Sequence, residues 1–116
     1  MRYELYQEGL ALAREIGERE MMCLYLQNMG AEDSRRGNHE LAMSHFQEGL
    51  SLAREMGHRQ RMSALLANMS MVSVQMKQYV QAETYCQESL SLARLIGNGV
   101  RIGNALQNLG ILESER

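Results

Sequence analysis

Several things are scarce in this chain of 116 residues, and each scarcity removes a class of function. Cysteine occurs twice, at Cys23 and Cys86, far apart and without the close pairs that zinc sites and redox motifs require. Charge of one sign is scarce as well. Lys and Arg number 12 against 14 Asp and Glu, a formal net charge of −2, which leaves no strong field to draw in nucleic acid or an anionic bilayer. Charged residues punctuate the whole sequence, so no apolar run approaches the roughly 20 residues of a membrane-spanning helix. The opening residues read as an amphipathic helix interrupted by Glu4, Glu8 and Arg14, without the basic-then-apolar pattern of a secretory signal. His39, His45 and His58 have neither i, i+4 spacing nor an organised set of carboxylates, so surface or turn roles are expected of them. There is no Gly-rich phosphate loop, nucleophile elbow or pair of catalytic acids. The expectation is a non-enzyme without metal or cofactor, soluble, in a cytoplasmic reducing compartment, with both thiols reduced in the core.

What is present is a repeat. The segment YQEGLALAREIGERE at 6–20 returns as FQEGLSLAREMGHRQ at 46–60 and CQESLSLARLIGNGV at 86–100, a spacing of forty residues. Self-similarity at such a period signals a solenoid, in which each unit buries its apolar face by stacking on its neighbours. Cys86 aligns with Phe46 and Tyr6, as an apolar filler, and Cys23 aligns with Ser63 and Gly103, as a small-residue site.

Two helical patterns alternate within each unit. Ala42, Phe46, Gly49, Leu50 and Ala53 share one face of a helix over about 40–56, which we term B-type. The small residues Gly9, Gly49 and Ser89 in its register let a neighbouring helix approach closely. Gly17, Gly57 and Gly97 stand where a left-handed C-cap would end each B-type helix. Met62, Leu66, Met69 and Ser73 mark a second, A-type helix over about 59–76, with Met22, Leu26, Met29 and Ile102, Leu106, Leu109 as counterparts. Gly37-Asn38 closes the first A-type helix, and Lys77-Gln78 occupies the same turn in the next unit. The fold class expected is therefore all-α, an α-solenoid of antiparallel helix pairs with six helices in the order B-A-B-A-B-A. The array spans 1–116 as a B-type helix at 1–17, full repeats at 19–57 and 59–97, and an A-type helix at 99–116.

At Leu26, Met29, Gly30, Gly37, Ala42, Phe46, Gly49 and Leu50, and again at Leu66, Met69, Ser70, Tyr79, Ala82, Cys86, Ser89 and Leu90, the chain resembles a tetratricopeptide repeat. The final helix adds Leu106, Leu109 and Gly110. Two departures go together: the period is forty residues where the common form has about 34, and Arg14, Arg54 and Arg94 replace the usual proline after helix B. Proline is absent from the chain, so helix B can run on to its glycine, about one and a half turns further. The forty-residue form is similar to arrays in bacterial signalling and transcription regulators, in kinesin light chains and in cell-polarity adaptors. The resemblance implies a right-handed superhelix that binds peptide or protein segments in a concave groove, as part of a larger regulator.

The resemblance places Asn28, Asn68 and Asn108, in identical register on the A-type helices, where an asparagine bonds the backbone of a bound peptide. An amide is both donor and acceptor, so it pairs with an extended peptide without reading its sequence. The structural alternative is that each Asn bonds a neighbouring helix or merely fills a polar position inherited by repeat duplication. Helical spacing adds Gln27, Ala67 and Gln107, then Ala31, Met71 and Ile111, then Ser34, Val74, Ser114, Arg35, Gln75 and Glu115 to the inner face. Met71 and Val74 would form a pocket for an apolar peptide side chain, while Met62, Met69 and Met76 read as core. Arg35 is the candidate partner for an acidic ligand, although with Glu32, Asp33 and Arg36 beside it the segment reads as a solvated charged face.

The chain opens on a B-type helix and closes on an A-type one, and neither Leu5, Leu12 and Ile16 nor Leu106, Leu109 and Leu112 are softened by polar substitution. The expectation is a piece of a longer array whose terminal helices associate, end to end or as a homodimer. No nucleic-acid or membrane partner is expected. A structural or oligomerisation module, or an array sensing a small-molecule inducer, are the alternatives to peptide binding.

Overall fold

The computed structural model describes residues 3–115, with side chains as far as residue 114. Six α-helices account for nearly all of them: α1 (Tyr3–Ile16), α2 (Arg19–Arg35), α3 (His39–Met56), α4 (Arg59–Gln75), α5 (Tyr79–Ile96) and α6 (Gly99–Glu115). α1, α3 and α5 are the B-type helices, and α2, α4 and α6 the A-type.

Glycine and one lysine set the breaks. Gly57 and Gly97 cap α3 and α5 in the left-handed region, at φ 65° and 76°, a conformation that costs a glycine nothing sterically. After α1 and α5 the chain folds back through a Schellman bond, the N–H of Glu18 donating to the carbonyl of Ala13 at 2.9 Å and that of Asn98 to Ala93 at 3.1 Å. The turn after α2 uses Gly37 at φ 82°, and the same turn after α4 uses Lys77 at φ 60°. Two A-type helices start on a side-chain cap. His58 Nδ1 accepts the N–H of Arg61 at 3.2 Å, and Asn98 Oδ1 that of Arg101 at 3.1 Å.

The chain divides into two compact units, 1–57 and 58–116. In the first, α2 packs against both α1 and α3. Its core is built on Leu10, Leu26 and Met29, with Tyr3, Tyr6, Met22, Tyr25 and Leu52 around them. Small residues bring these helices close: a Cβ at Gly9 would lie 2.4 Å from the Tyr25 ring, and the Cys23 thiol donates to the carbonyl of Gly49 at 3.1 Å. Tyr6 and Tyr25 meet as a tilted pair with centroids 6.4 Å apart.

In the second unit α5 packs against both α4 and α6, and α4 also touches α6. Ala82, Cys86 and Leu112 form one cluster of its core, with Val74, Tyr79 and Leu109 packed on them. Ser63 and Ser89 stand where the first unit has Cys23 and Gly49, and here too a side chain bonds across the helix pair: Ser63 Oγ donates to the Ser89 carbonyl at 3.1 Å, and Ser89 Oγ to that of Ser63 at 2.8 Å. The contact between the A-type helices α4 and α6 positions the candidate site.

Candidate functional site

Between α4 and α6 lies a cavity of about 200 Å³, lined by Ser70, Met71, Val74, Gln75, Asn108, Ile111 and Leu112. Its floor is buried, and its one hydroxyl is already bonded. Leu112 is almost fully buried, and the Ser70 hydroxyl donates to the carbonyl of Ala82 at 2.8 Å, so it offers the cavity no free donor. Met71 and Ile111 line it as well and are 54% and 48% exposed. Val74 is half-buried between floor and mouth, and Asn108 is half-buried at the rim. An apolar slot with one amide at its edge can hold an uncharged side chain while the amide pairs with the backbone carrying it.

The structure thus gathers Met71, Val74 and Asn108 at one cavity, together with Gln75 and Ile111. Asn68 is half-buried one turn before Met71 on the same helix, and Gln107 is exposed beside Asn108. No hydrogen bond joins the side chains of Asn28, Asn68 or Asn108 to another described residue. In the first unit Gln27 and Asn28 are half-buried on α2, with Ala31 exposed where α4 and α6 carry Met71 and Ile111. Ser34 there is half-buried, and Ser114 on α6 is exposed. The side chain of Glu115 lies outside the described residues.

Arg35 is exposed and forms an ion pair with Glu32, which also accepts from Arg36 Nε at 3.1 Å. The segment is not the solvated charged face that its letters suggest. Glu32 is 8% exposed and Asp33 1% exposed. Asp33 Oδ2 lies 2.6 Å from His45 Nδ1 on α3, and the Tyr3 hydroxyl of α1 donates to the same carboxyl. The Arg36 guanidinium sits over the Tyr3 ring, 5.3 Å from its centroid. Burial, then the hydrogen bond and charge of Asp33, push the Tyr3 phenol up to about 12, with Arg36 opposing. This knot ties three helices of the first unit together and leaves His45 a packing role rather than a surface one. The forty-residue register held a signal: Glu32 and Asp33 align with Val72 and Ser73, both buried.

Both cysteines are free thiols in the interior. Cys86 donates to the carbonyl of Ala105 at 3.4 Å, and burial pushes its thiol up from the ordinary range.

No protein-family model matches the chain, and no curated protein matches it. Among solved structures, it is similar to the crystal structure of BtubC (BKLC) from P. vanneervenii, with a TM-score of 0.85 and 24% identity over 94% of this chain. The chain spans 45% of the length of that structure. At this identity the likeness speaks for the fold: the chain is an all-α helical-repeat protein whose consecutive helices carry the register read from its sequence.

Proposed function

We propose that this chain is a tetratricopeptide-type scaffold that binds an extended peptide or protein segment along the inner face of its A-type helices. The observation that carries the reading is the cavity between α4 and α6, where Met71, Val74, Ile111 and Leu112 surround an apolar slot and Asn108 stands at its rim. Asn68 precedes the slot on α4, and Asn28 holds the same register on α2. Amides in this register that bond no described neighbour suit partners from outside the chain.

Volume favours a side chain over a free small molecule as occupant. Pockets for small ligands run from about 300 to 1,000 Å³, and this one is about 200 Å³. One aliphatic or aromatic side chain fills it, contributing about 1.5–3 kcal/mol if fully buried. Each amide bond to the peptide backbone adds about 0.5–1.5 kcal/mol. The scaffold would work as the adaptor or sensing part of a larger regulator, in a reducing compartment such as the cytoplasm, where its two free thiols persist.

Panning a displayed peptide library against the chain and against an Asn68→Ala/Asn108→Ala variant tests this. Enriched peptides should share an apolar residue and lose capture on the variant, with its melting temperature unchanged. Equal capture by both proteins, or no enrichment at all, counts against the proposal.

A further inference from the structure

The chain holds six asparagines, and the structure sets four of them inside helices: Asn28 on α2, Asn68 on α4, and Asn104 and Asn108 on α6. After each of these four the next residue's N–H belongs to the helix ladder, committed to a carbonyl one turn back. Met29, Met69 and Ala105 are buried as well. Asn38 and Asn98 stand instead at turns, one residue ahead of α3 and α6. Asn38 is followed by His39, a bulky and partly buried side chain. Asn98 is followed by Gly99, where a Cβ would meet nothing within 4 Å. The same turn reads Glu18-Arg19 and His58-Arg59 in the earlier units, so the Asn-Gly pair belongs to the third alone.

The local structure prepares Asn98 for attack by its own backbone. Gly99 is the first residue of α6, so its N–H has no acceptor in the helix ladder, and it carries no side chain to shield the nitrogen. The Asn98 side chain lies over the first turn of α6, its Oδ1 accepting the N–H of Arg101 at 3.1 Å. That donor polarises the side-chain carbonyl and stabilises the oxyanion that addition to it creates. The positive end of the helix favours the deprotonated nitrogen that the attack requires.

We propose that Asn98-Gly99 is a spontaneous modification site. The Gly99 nitrogen bonds to Cγ of Asn98, the bond from Cγ to Nδ2 breaks, and the proton of the Gly99 N–H leaves with the side-chain nitrogen as ammonia. The product is a cyclic imide. Water then opens it at either ring carbonyl, leaving an aspartate or an isoaspartyl link whose main chain runs through Cγ, with no oxidation or reduction at any step. The two products act oppositely on α6. Aspartate keeps the cap and adds negative charge at the helix end that favours it. Isoaspartate lengthens the main chain by one carbon and loses the cap, loosening a helix that packs Leu112 against Ala82 and Cys86 of α5. Because α6 also carries Asn108 and Ile111 into the cavity it shares with α4, the isoaspartyl form alters that cavity too.

The test is peptide mapping by mass spectrometry on the folded chain held at mildly alkaline pH, beside Gly99→Ala and Asn98→Asp variants whose helicity verifies the fold. Asn98 should convert before the other five asparagines and give both products. Gly99→Ala, which crowds the attacking nitrogen and restricts its backbone, should slow that conversion about tenfold. The purified isoaspartyl form should melt below the unmodified chain, whereas Asn98→Asp should not. Earlier conversion of Asn38 or of an asparagine within a helix, a rate at Asn98 that Gly99→Ala leaves unchanged, or an isoaspartyl form that melts with the unmodified chain would each overturn the proposal.

Discussion

The ring of Phe46 occupies the space that a side chain at Gly30 would need: a Cβ there would lie 2.5 Å from Cε1 of the ring. The second unit solves the same contact differently, with Ser70 and Cys86 in register with Gly30 and Phe46, and with the serine hydroxyl bonded to the carbonyl of Ala82. Large against nothing and small against small fill the same gap. Gly30→Ala is therefore expected to destabilise the first unit by about 1–3 kcal/mol through overpacking, despite the better helix propensity of alanine. Gly30→Ser with Phe46→Cys should cost less than the sum of the two single changes, by about 0.5–3 kcal/mol in a double-mutant cycle of denaturant unfolding.

Tyr3 keeps its proton to about pH 12, against an ordinary value of 10.0, chiefly because its partial burial disfavours the phenolate and then because Asp33 accepts its hydrogen bond. The folded chain thus holds a proton that the unfolded chain gives up. Stability from this group is complete below the ordinary phenol value and falls as pH climbs from there through the folded value. Phenolate absorbance of the folded chain, differenced against a Tyr3→Phe variant, should show the Tyr3 transition displaced upward from the ordinary phenol value. Asp33→Asn should lower that late titration part of the way, since burial remains. A Tyr3 that titrates at the ordinary phenol value in the folded chain would contradict the knot.

Lys77 takes the left-handed conformation that Gly37 takes at the equivalent turn, at φ 60°. An L-residue gives up about 1–2 kcal/mol there. Lys77→Gly should recover part of this and lose about 0.5–1 kcal/mol to the freer unfolded chain, for a small net gain in melting temperature. A clear loss would mean that the lysine side chain contributes more than the backbone costs.

Cys23 and Cys86 are buried and each donates to a backbone carbonyl, and burial pushes the Cys86 thiol up. Neither should react with a thiol reagent in the folded chain at neutral pH, and both should react at once in denaturant. Rapid labelling of either without unfolding would show that its helix pair opens.

Much of this was legible in the sequence, because a forty-residue period fixes a register as well as a fold. Gly57 and Gly97 ended their helices where the pattern placed them; helical spacing put Met71 and Val74 on one face of α4, and the resemblance pointed to Asn108 on α6, which lines the same cavity. The knot around Asp33 was not legible. Glu32 and Asp33 read locally as part of a solvated run with Arg35 and Arg36, and what holds Asp33 inside is the arrival of Tyr3 and His45 from two other helices. The trade between Gly30 and Phe46 was hidden for the same reason. A small residue announces close approach, but only the partner helix says what approaches.

In the proposed binding mode the slot between α4 and α6 takes one apolar side chain of a bound peptide. A double-mutant cycle on a captured peptide tests it most directly, pairing alanine at the peptide's anchor residue with Ile111→Ala, a position half exposed and so separable from the fold. A coupling of about 0.5–3 kcal/mol between the two changes is the expected result, with Asn108→Ala weakening every peptide alike. Zero coupling at Ile111, with binding otherwise intact, would place recognition elsewhere on the chain.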